Sequence, residues 1–249
     1  MNAKPIVLAI GGMDPSAGAG ILADVKAIEA AGAYGMAVMS ANTFQNDAEY
    51  DGTDWTDIAA ILRQIQVLQR RHQFAAVKIG LIQSFDAVAA VCQYFGKQVP
   101  IVWDPVLKAS AGFQFHTDVD RKALADLLRN ITLLTPNLPE AEALFGTTDE
   151  LKLSVIQQEL GCAILLKGGH ARHKADDILL YNGERYVIEG ERFNGKGKHG
   201  TGCVLSSAIA ARLALGNTLD QSCLWAKRYV EQIMQSNPSL LAYHNYNIE

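Results

Sequence analysis

Cysteine is scarce in this chain. Its four thiols, Cys92, Cys162, Cys203 and Cys223, show no C-x-x-C spacing. That excludes a zinc cage or a disulfide framework as the organising device and predicts reduced thiols in a cytoplasmic protein. Positive charge is also in deficit. With 22 Lys and Arg against 26 Asp and Glu, the net charge is -4, which argues against a nucleic-acid or anionic-membrane surface. Any phosphate site must therefore be local, built from loops and a few lysines. Long apolar runs are missing: no window approaches a membrane span, and residues 6–10 are too short for a signal core. Two nucleotide motifs are absent as well. No window fits G-x-x-x-x-G-K-[ST], and the glycine-rich stretch 11–20 departs from G-x-G-x-x-G. Pro15 interrupts that turn, and Asp14 inside it would repel a phosphate.

What the chain does have is apolar residues, 49% of its length, enough for a sizeable core. Short strand-like runs at 5–11, 34–43, 74–81, 99–106, 131–136 and 162–169 alternate with stretches of helical periodicity. The helices are expected over 21–31, 54–72, 84–95, 117–129, 137–145, 149–160, from Gly202 to 215, and over 218–235. Fully apolar strands separated by helices predict a mostly parallel sheet covered on both faces, an α/β fold. Residues 177–181 and 185–191, split by Asn182-Gly183, read as a late β-hairpin. No linker or repeat interrupts the pattern, so residues 1–249 are expected to form a single domain.

In such folds ligands lie beyond the carboxyl ends of the strands. The polar residues fall there: Asp14 after the first strand, Gln45 and Asn46 after the second, and Lys78 with Gly80 at the third. Asp104 closes the fourth, Asn137 follows the fifth, and Lys167, Gly168, Gly169 and His170 end the sixth. The stretch Asn194-Gly195-Lys196-Gly197-Lys198-His199-Gly200-Thr201-Gly202-Cys203 then runs into an apolar segment. A glycine-rich turn feeding a helix gathers unpaired N–H groups and the positive end of the helix dipole around one point, which can hold an anion. Cys203 falls in the first turn, where a thiolate is favoured and the pKa is expected to fall. The plain alternative is an inert packing thiol.

Asp14 is suited to accept a hydrogen bond from the hydroxyl or amine of a neutral ligand, or else to organise its own turn before Pro15. Asn137 and Glu140 form a capping-box pattern; beside a phosphate site, Asn and Glu also suit hydrated Mg²⁺, with Asp104 at the neighbouring strand end. Phosphoryl transfer needs donors around the transferred group, a divalent ion and a means of orienting the acceptor. The segment 200–203, the group Asp104, Asn137 and Glu140, and Asp14 with Gln45 would supply these parts. His199, the nearest histidine to Cys203, has no geometry fixed by the sequence.

With these residues in hand, the chain resembles the ribokinase-like superfamily, and within it the bacterial hydroxymethylpyrimidine/phosphomethylpyrimidine kinases of thiamine biosynthesis. The resemblance rests on Asp14-Pro15-Ser16-Ala17-Gly18-Ala19-Gly20-Ile21, Ala23-Asp24-Val25-Lys26, Gln45-Asn46 and Lys78-Ile79-Gly80. It continues through Asp104-Pro105-Val106, Thr135-Pro136-Asn137-Leu138-Pro139-Glu140-Ala141, Lys167-Gly168-Gly169-His170 and His199-Gly200-Thr201-Gly202-Cys203, in the family's order. It implies a three-layer α/β/α fold. It also implies transfer of the γ-phosphoryl of ATP, with Mg²⁺, to 4-amino-5-hydroxymethyl-2-methylpyrimidine and then to its monophosphate. By position, Gln45 would bond the pyrimidine, with Asp14, Gly12 and Lys78 on the substrate side. Cys203 would be the general base, and Gly200, Thr201 and Gly202 the anion hole. Asp104, Asn137, Lys167 and Gly169 would lie by the nucleotide and phosphates, and Asp104, Asn137 and Glu140 by the metal. A homo-oligomer, a dimer, is expected.

Departures from the family cluster on the acceptor side: Met13, Ala17, Leu22 and Phe44, and Lys108-Ala109-Ser110-Ala111-Gly112 in a flap. They leave room for a vitamin B6 kinase of the same superfamily. A non-catalytic pyrimidine-binding module and a thiol hydrolase using Cys203 are the other classes.

Overall fold

The computed structural model describes residues 3–107, 121–168, 175–191, 193 and 197–244. Among them run β1 (Ile6–Met13), α1 (Gly20–Ala30), β2 (Tyr34–Gln45), β3 (Tyr50–Trp55), α2 (Ile58–Gln69), β4 (Phe74–Ile79), α3 (Phe85–Phe95), β5 (Ile101–Trp103) and α4 (Arg121–Leu128). After these come β6 (Leu133–Leu134), α5 (Leu138–Phe145), α6 (Glu150–Leu160), β7 (Ala163–Leu166), β8 (Asp177–Tyr181), β9 (Glu184–Ile188), α7 (Thr201–Ala214) and α8 (Leu219–Met234). One nine-stranded sheet has the order β3-β2-β1-β4-β5-β6-β7-β8-β9.

The middle of the sheet is parallel, because each strand there returns through a helix. Side chains of β1 alternate between two cores, as the pleat requires. Val7 and Ala9 pack with α1, α7 and α8. Leu8 and Ile10 pack with the helices of the other face, α2 to α4. Both faces are thus covered, giving the three-layer α/β/α arrangement expected from uninterrupted apolar strands.

Two differences from the sequence expectation concern the edges. Residues 50–55, YDGTDW, form an edge strand antiparallel to β2, where the sequence predicts loop and then helix from 54. The segment is polar and half-exposed, so it carries neither the alternation nor the apolar run that marks a strand; α2 starts at Ile58, capped by the Asp57 side chain. The late hairpin, β8 and β9, completes the sheet rather than standing apart, since β8 pairs antiparallel with β7.

Strand order reverses between β1 and β4, the neighbours from which the sheet grows both ways. Loops leaving such a point part from each other and leave a crevice at the carboxyl ends. The 14–19 loop after β1 and Gly80 after β4 flank it. Beyond Asn42, the last β2 residue paired with β1, β2 continues with only β3 beside it, so a two-stranded hairpin projects past the crevice.

Candidate active site

Asp14 lies at the bottom of the turn after β1, 1% exposed. Its Oδ1 accepts from Ser16 N and Ser16 Oγ, at 2.9 and 2.8 Å, and its Oδ2 from Ala19 N at 2.9 Å. His199 Nε2 lies 2.8 Å from the same Oδ2. Burial works against the carboxylate, but the bonds from His199, Ser16 and Ala19 outweigh it and hold its pKa below the ordinary value. Each carboxylate oxygen is thus engaged by protein groups, so Asp14 organises its own turn. Gly12 is closely packed: a Cβ there would come within 3.0 Å of Leu81 Cδ2 and 3.4 Å of Thr43 Cγ2.

The turn before α7 packs onto that loop. Gly200 has φ +76°, and a Cβ on it would lie 2.1 Å from Gly18 O, so only glycine fits. Helix α7 then begins at Thr201, with no side chain capping its first N–H groups. Its start faces the adjacent strand ends: a Cβ on Gly202 would lie 3.4 Å from Lys167 Nζ and 3.5 Å from Asp104 Oδ2. An uncapped helix start, a lysine and a carboxylate from three distant parts of the chain therefore meet at one place.

Asp104 follows β5 and is 3% exposed. Its Oδ1 accepts from Lys167 Nζ at 2.7 Å and from Thr135 Oγ1 at 3.3 Å. The Lys167 ammonium also lies 3.8 Å from Glu140 Oε2. A parallel backbone bridge between Asn137 and Lys167 sets the two segments side by side. Burial disfavours the Lys167 charge, yet Asp104 and Glu140 keep it above its usual value. Burial, with Asp104 adding to it, pushes Glu140 up to about 7 against the pull of Lys167.

Asn137 is the N-cap of α5. Its Oδ1 accepts from Glu140 N while Glu140 Oε2 accepts from Asn137 N, both at 2.8 Å. The capping box is thus formed, and it uses one lone pair each of Asn137 Oδ1 and Glu140 Oε2. Asp104 and Glu140 bring hard carboxylate oxygens to the same place. Among the described residues no group of three or more His, Cys, Asp or Glu could hold a metal ion.

Cys203 is half-buried, and here the expected direction is reversed. Burial pushes its thiol up to about 11, against Lys78 and the Gly20 N–H, which favour the thiolate. Partial charge at a helix start cannot offset loss of water around the sulfur. Lys78, expected on the substrate side, is fully buried in β4 with Nζ 2.8 Å from both Asp24 oxygens. Burial disfavours that ammonium, but Asp24, Cys203 and Asp104 around it raise its pKa on balance. Ser207 of α7 also donates to Asp24, at 2.8 Å, so this pair ties α1, β4 and α7 together beneath the site.

Asp24 and Ser207 gain no role from sequence reasoning. The available signal was an acid among Ile21, Ala23, Ala27 and Ile28 on the buried face of α1. Gln45 ends β2 in the projecting hairpin, half-buried, opposite Tyr50. Thr43 Oγ1 donates to Met13 O at 2.6 Å and pins that hairpin to the Asp14 turn. Gly169, His170, residues 194–196 and the flap at 108–112 lie outside the described residues.

A profile of the family described as phosphomethylpyrimidine kinase matches residues 14–247. The hydroxymethylpyrimidine/phosphomethylpyrimidine kinase of Staphylococcus aureus is 32% identical, over 95% of this chain and 91% of its own. The thiamine biosynthesis multifunctional protein ThiED of Corynebacterium efficiens is 31% identical over 96% of this chain, which spans only 34% of that longer relative. The crystal structure of phosphomethylpyrimidine kinase from Clostridium difficile 630 superposes with a TM-score of 0.76 at 31% identity, covering 92% of this chain and 99% of that one. A pyridoxal kinase from Staphylococcus aureus in complex with AMP-PCP and pyridoxal superposes with a TM-score of 0.81 at 25% identity, over 94% and 89%. Sequence match over nearly the whole chain and the same sheet with its helices agree: the chain belongs to the phosphomethylpyrimidine kinase family and has its ribokinase-like fold.

Proposed function

We propose that this chain transfers the γ-phosphoryl group of ATP to 4-amino-5-hydroxymethyl-2-methylpyrimidine, and then to the monophosphate so formed, in thiamine biosynthesis. One observation carries the reading: at the uncapped start of α7, a Cβ on Gly202 would lie 3.4 Å from Lys167 Nζ and 3.5 Å from Asp104 Oδ2. Backbone N–H groups at 200–203 and the helix dipole favour the charge that spreads over a migrating phosphoryl group. Lys167 adds a full positive charge on the nucleotide side. Asp104 and Glu140, with the phosphates, would hold Mg²⁺, which supplies neutralisation of the β- and γ-oxygens. Two carboxylates already arranged around one cation fit that ion.

Cys203 is the proton acceptor in this reading, a strong base that is rarely ionised. A loose transition state asks little prior deprotonation of the acceptor hydroxyl, which makes such a base sufficient. Gln45 and the projecting hairpin face the acceptor. Four unpaired cysteines suit a reducing cytoplasm. No described helix is long and apolar enough to cross a membrane.

A second reading, pyridoxal or pyridoxine phosphorylation, draws support from the superposition on the pyridoxal kinase and from Phe44, 47% exposed on the hairpin. A coupled ADP-release assay with MgATP and each acceptor separates the two. Pyrimidine-dependent turnover supports the first; turnover with pyridoxal alone replaces it with the second.

A further inference from the structure

A lysine in a glycine-rich phosphate turn is expected to aim its ammonium at the anion. Lys198, two residues before the α7 N-cap Gly200, turns the other way. It is 7% exposed, and its Nζ donates to Asn237 O, Ser239 O and, at 3.0 Å, Asn237 Oδ1. An ammonium has three N–H donors, and three oxygens meet them. Burying such a charge is costly unless its donors are satisfied, and these three oxygens satisfy them.

The cage is built by the segment after α8. Asn237 Oδ1 also accepts from Ser239 N and Ser239 Oγ, at 2.8 and 2.6 Å, and Asn237 Nδ2 donates to Leu241 O at 2.9 Å. Tyr243 N donates to Ser236 Oγ at 2.9 Å. Residues 236–243 are thereby folded on themselves, with carbonyls turned toward Lys198. The same segment grips the next residue: His199 N donates to Leu240 O at 2.9 Å. It also reaches the opposite loop, where a Cβ on Gly18 would lie 2.7 Å from Leu241 Cδ2 and 2.8 Å from His199 Cδ2.

We infer that Lys198 is a positioning residue, which locks the 198–200 turn onto the carboxyl-terminal segment 236–243 and so fixes where the first amides of α7 point. It touches no reacting atom. Its effect passes through His199, which is clamped between Asp14 on one side and Leu240 on the other, to Gly200 beside it. Amides aimed at charge that develops only in the transition state act on kcat, so loosening them leaves acceptor binding nearly unchanged.

The inference rests on the kinase reading for its kinetic test, and a second readout is independent of it. In the full-length protein, Lys198→Met keeps the stem and removes the charge, Lys198→Arg keeps the charge, and Lys198→Ala leaves the cage open to added ethylammonium. Steady-state kinetics with MgATP and the hydroxymethylpyrimidine are paired with deuterium exchange of the peptide covering 199–204. Lys198→Met is expected to lower kcat about 10²-fold with acceptor KM within about twofold, the scale of a roughly 1 Å misplacement. Lys198→Arg should recover most of the rate, ethylammonium should restore part of it to Lys198→Ala, and exchange over 199–204 should quicken in Lys198→Met. A folded Lys198→Met with unchanged kcat and exchange overturns the inference, as does a fall in rate with no change in exchange and no rescue. If Lys198→Met does not fold, Asn237→Ala, which removes one oxygen of the cage, decides by the same measures. Wild-type protein that turns over no acceptor would count against the kinase reading alone, and exchange would still decide the role of Lys198.

Discussion

Asp14 Oδ2 and His199 Nε2 stand 2.8 Å apart although 185 residues separate them in the chain. That contact closes the loop after β1 onto the start of α7. Asp14→Ala removes an acceptor that serves Ser16, Ala19 and His199, and should cost about 2–3 kcal/mol, the scale of bonds to a buried charged group. The pH dependence has a fixed sign. The folded pKa lies below the ordinary 3.8, so the contribution is complete above that value and is lost as pH falls through the lower folded one. Urea denaturation at pH 7 and at pH 3 checks both; equal destabilisation by Asp14→Ala at the two pH values contradicts the assignment.

Ala17 has φ +57° in the same turn, a left-handed conformation in which a Cβ is strained. The turn is held by Ala17 N donating to Asp14 O at 3.0 Å, and by Lys26 Nζ donating to Ala17 O at 2.9 Å. This is the position where the family resemblance expects glycine. Ala17→Gly should therefore stabilise the protein by about 1 kcal/mol, read as a higher denaturation midpoint with an unchanged slope. A lower midpoint would show that the strain is absent.

Lys78→Met leaves the Asp24 carboxylate buried with Ser207 as its remaining donor. Breaking one side of such a pair costs about 3–5 kcal/mol, whereas replacing both sides with apolar groups is far milder. Lys78→Met should thus be severely destabilised and the Lys78→Met/Asp24→Leu double variant much less so. Thermal melts of the wild type, Lys78→Met, Asp24→Leu and the double variant test it, and additive losses would rule out a coupled pair.

For Cys203 the thiol raised to about 11, from an ordinary 9.0, implies a thiolate fraction lower by about 10²-fold at neutral pH. Iodoacetamide should label Cys203 slowly at pH 7, and the rate should rise about tenfold per pH unit up to about pH 10. Under the proposed chemistry kcat should climb over the same range, and Cys203→Ala should lose about 10²–10⁴-fold in turnover with little change in ATP affinity. Turnover near wild type in that variant would take the sulfur out of proton transfer.

Local physics is what the order of residues carried. Apolar runs without polar interruption gave the parallel strands, turn chemistry such as Asn182-Gly183 gave the late hairpin, and the Asn137 and Glu140 pair announced the α5 cap. Gly200, Gly202, Asp104 and Lys167 could be placed at strand ends and a helix start, because such positions follow from chain order alone. Residues 50–55 could not, because an edge strand's pairing is supplied by its neighbour rather than by its own composition. Folding alone decided which groups became partners: Lys78 went to Asp24, Lys167 to Asp104, Asp14 to His199, and Lys198 to the oxygens of 237 and 239. It also decided the state of Cys203. A sequence shows a thiol beside a helix start, but the water stripped from around it is a property of the packed molecule, and that loss outweighs the dipole.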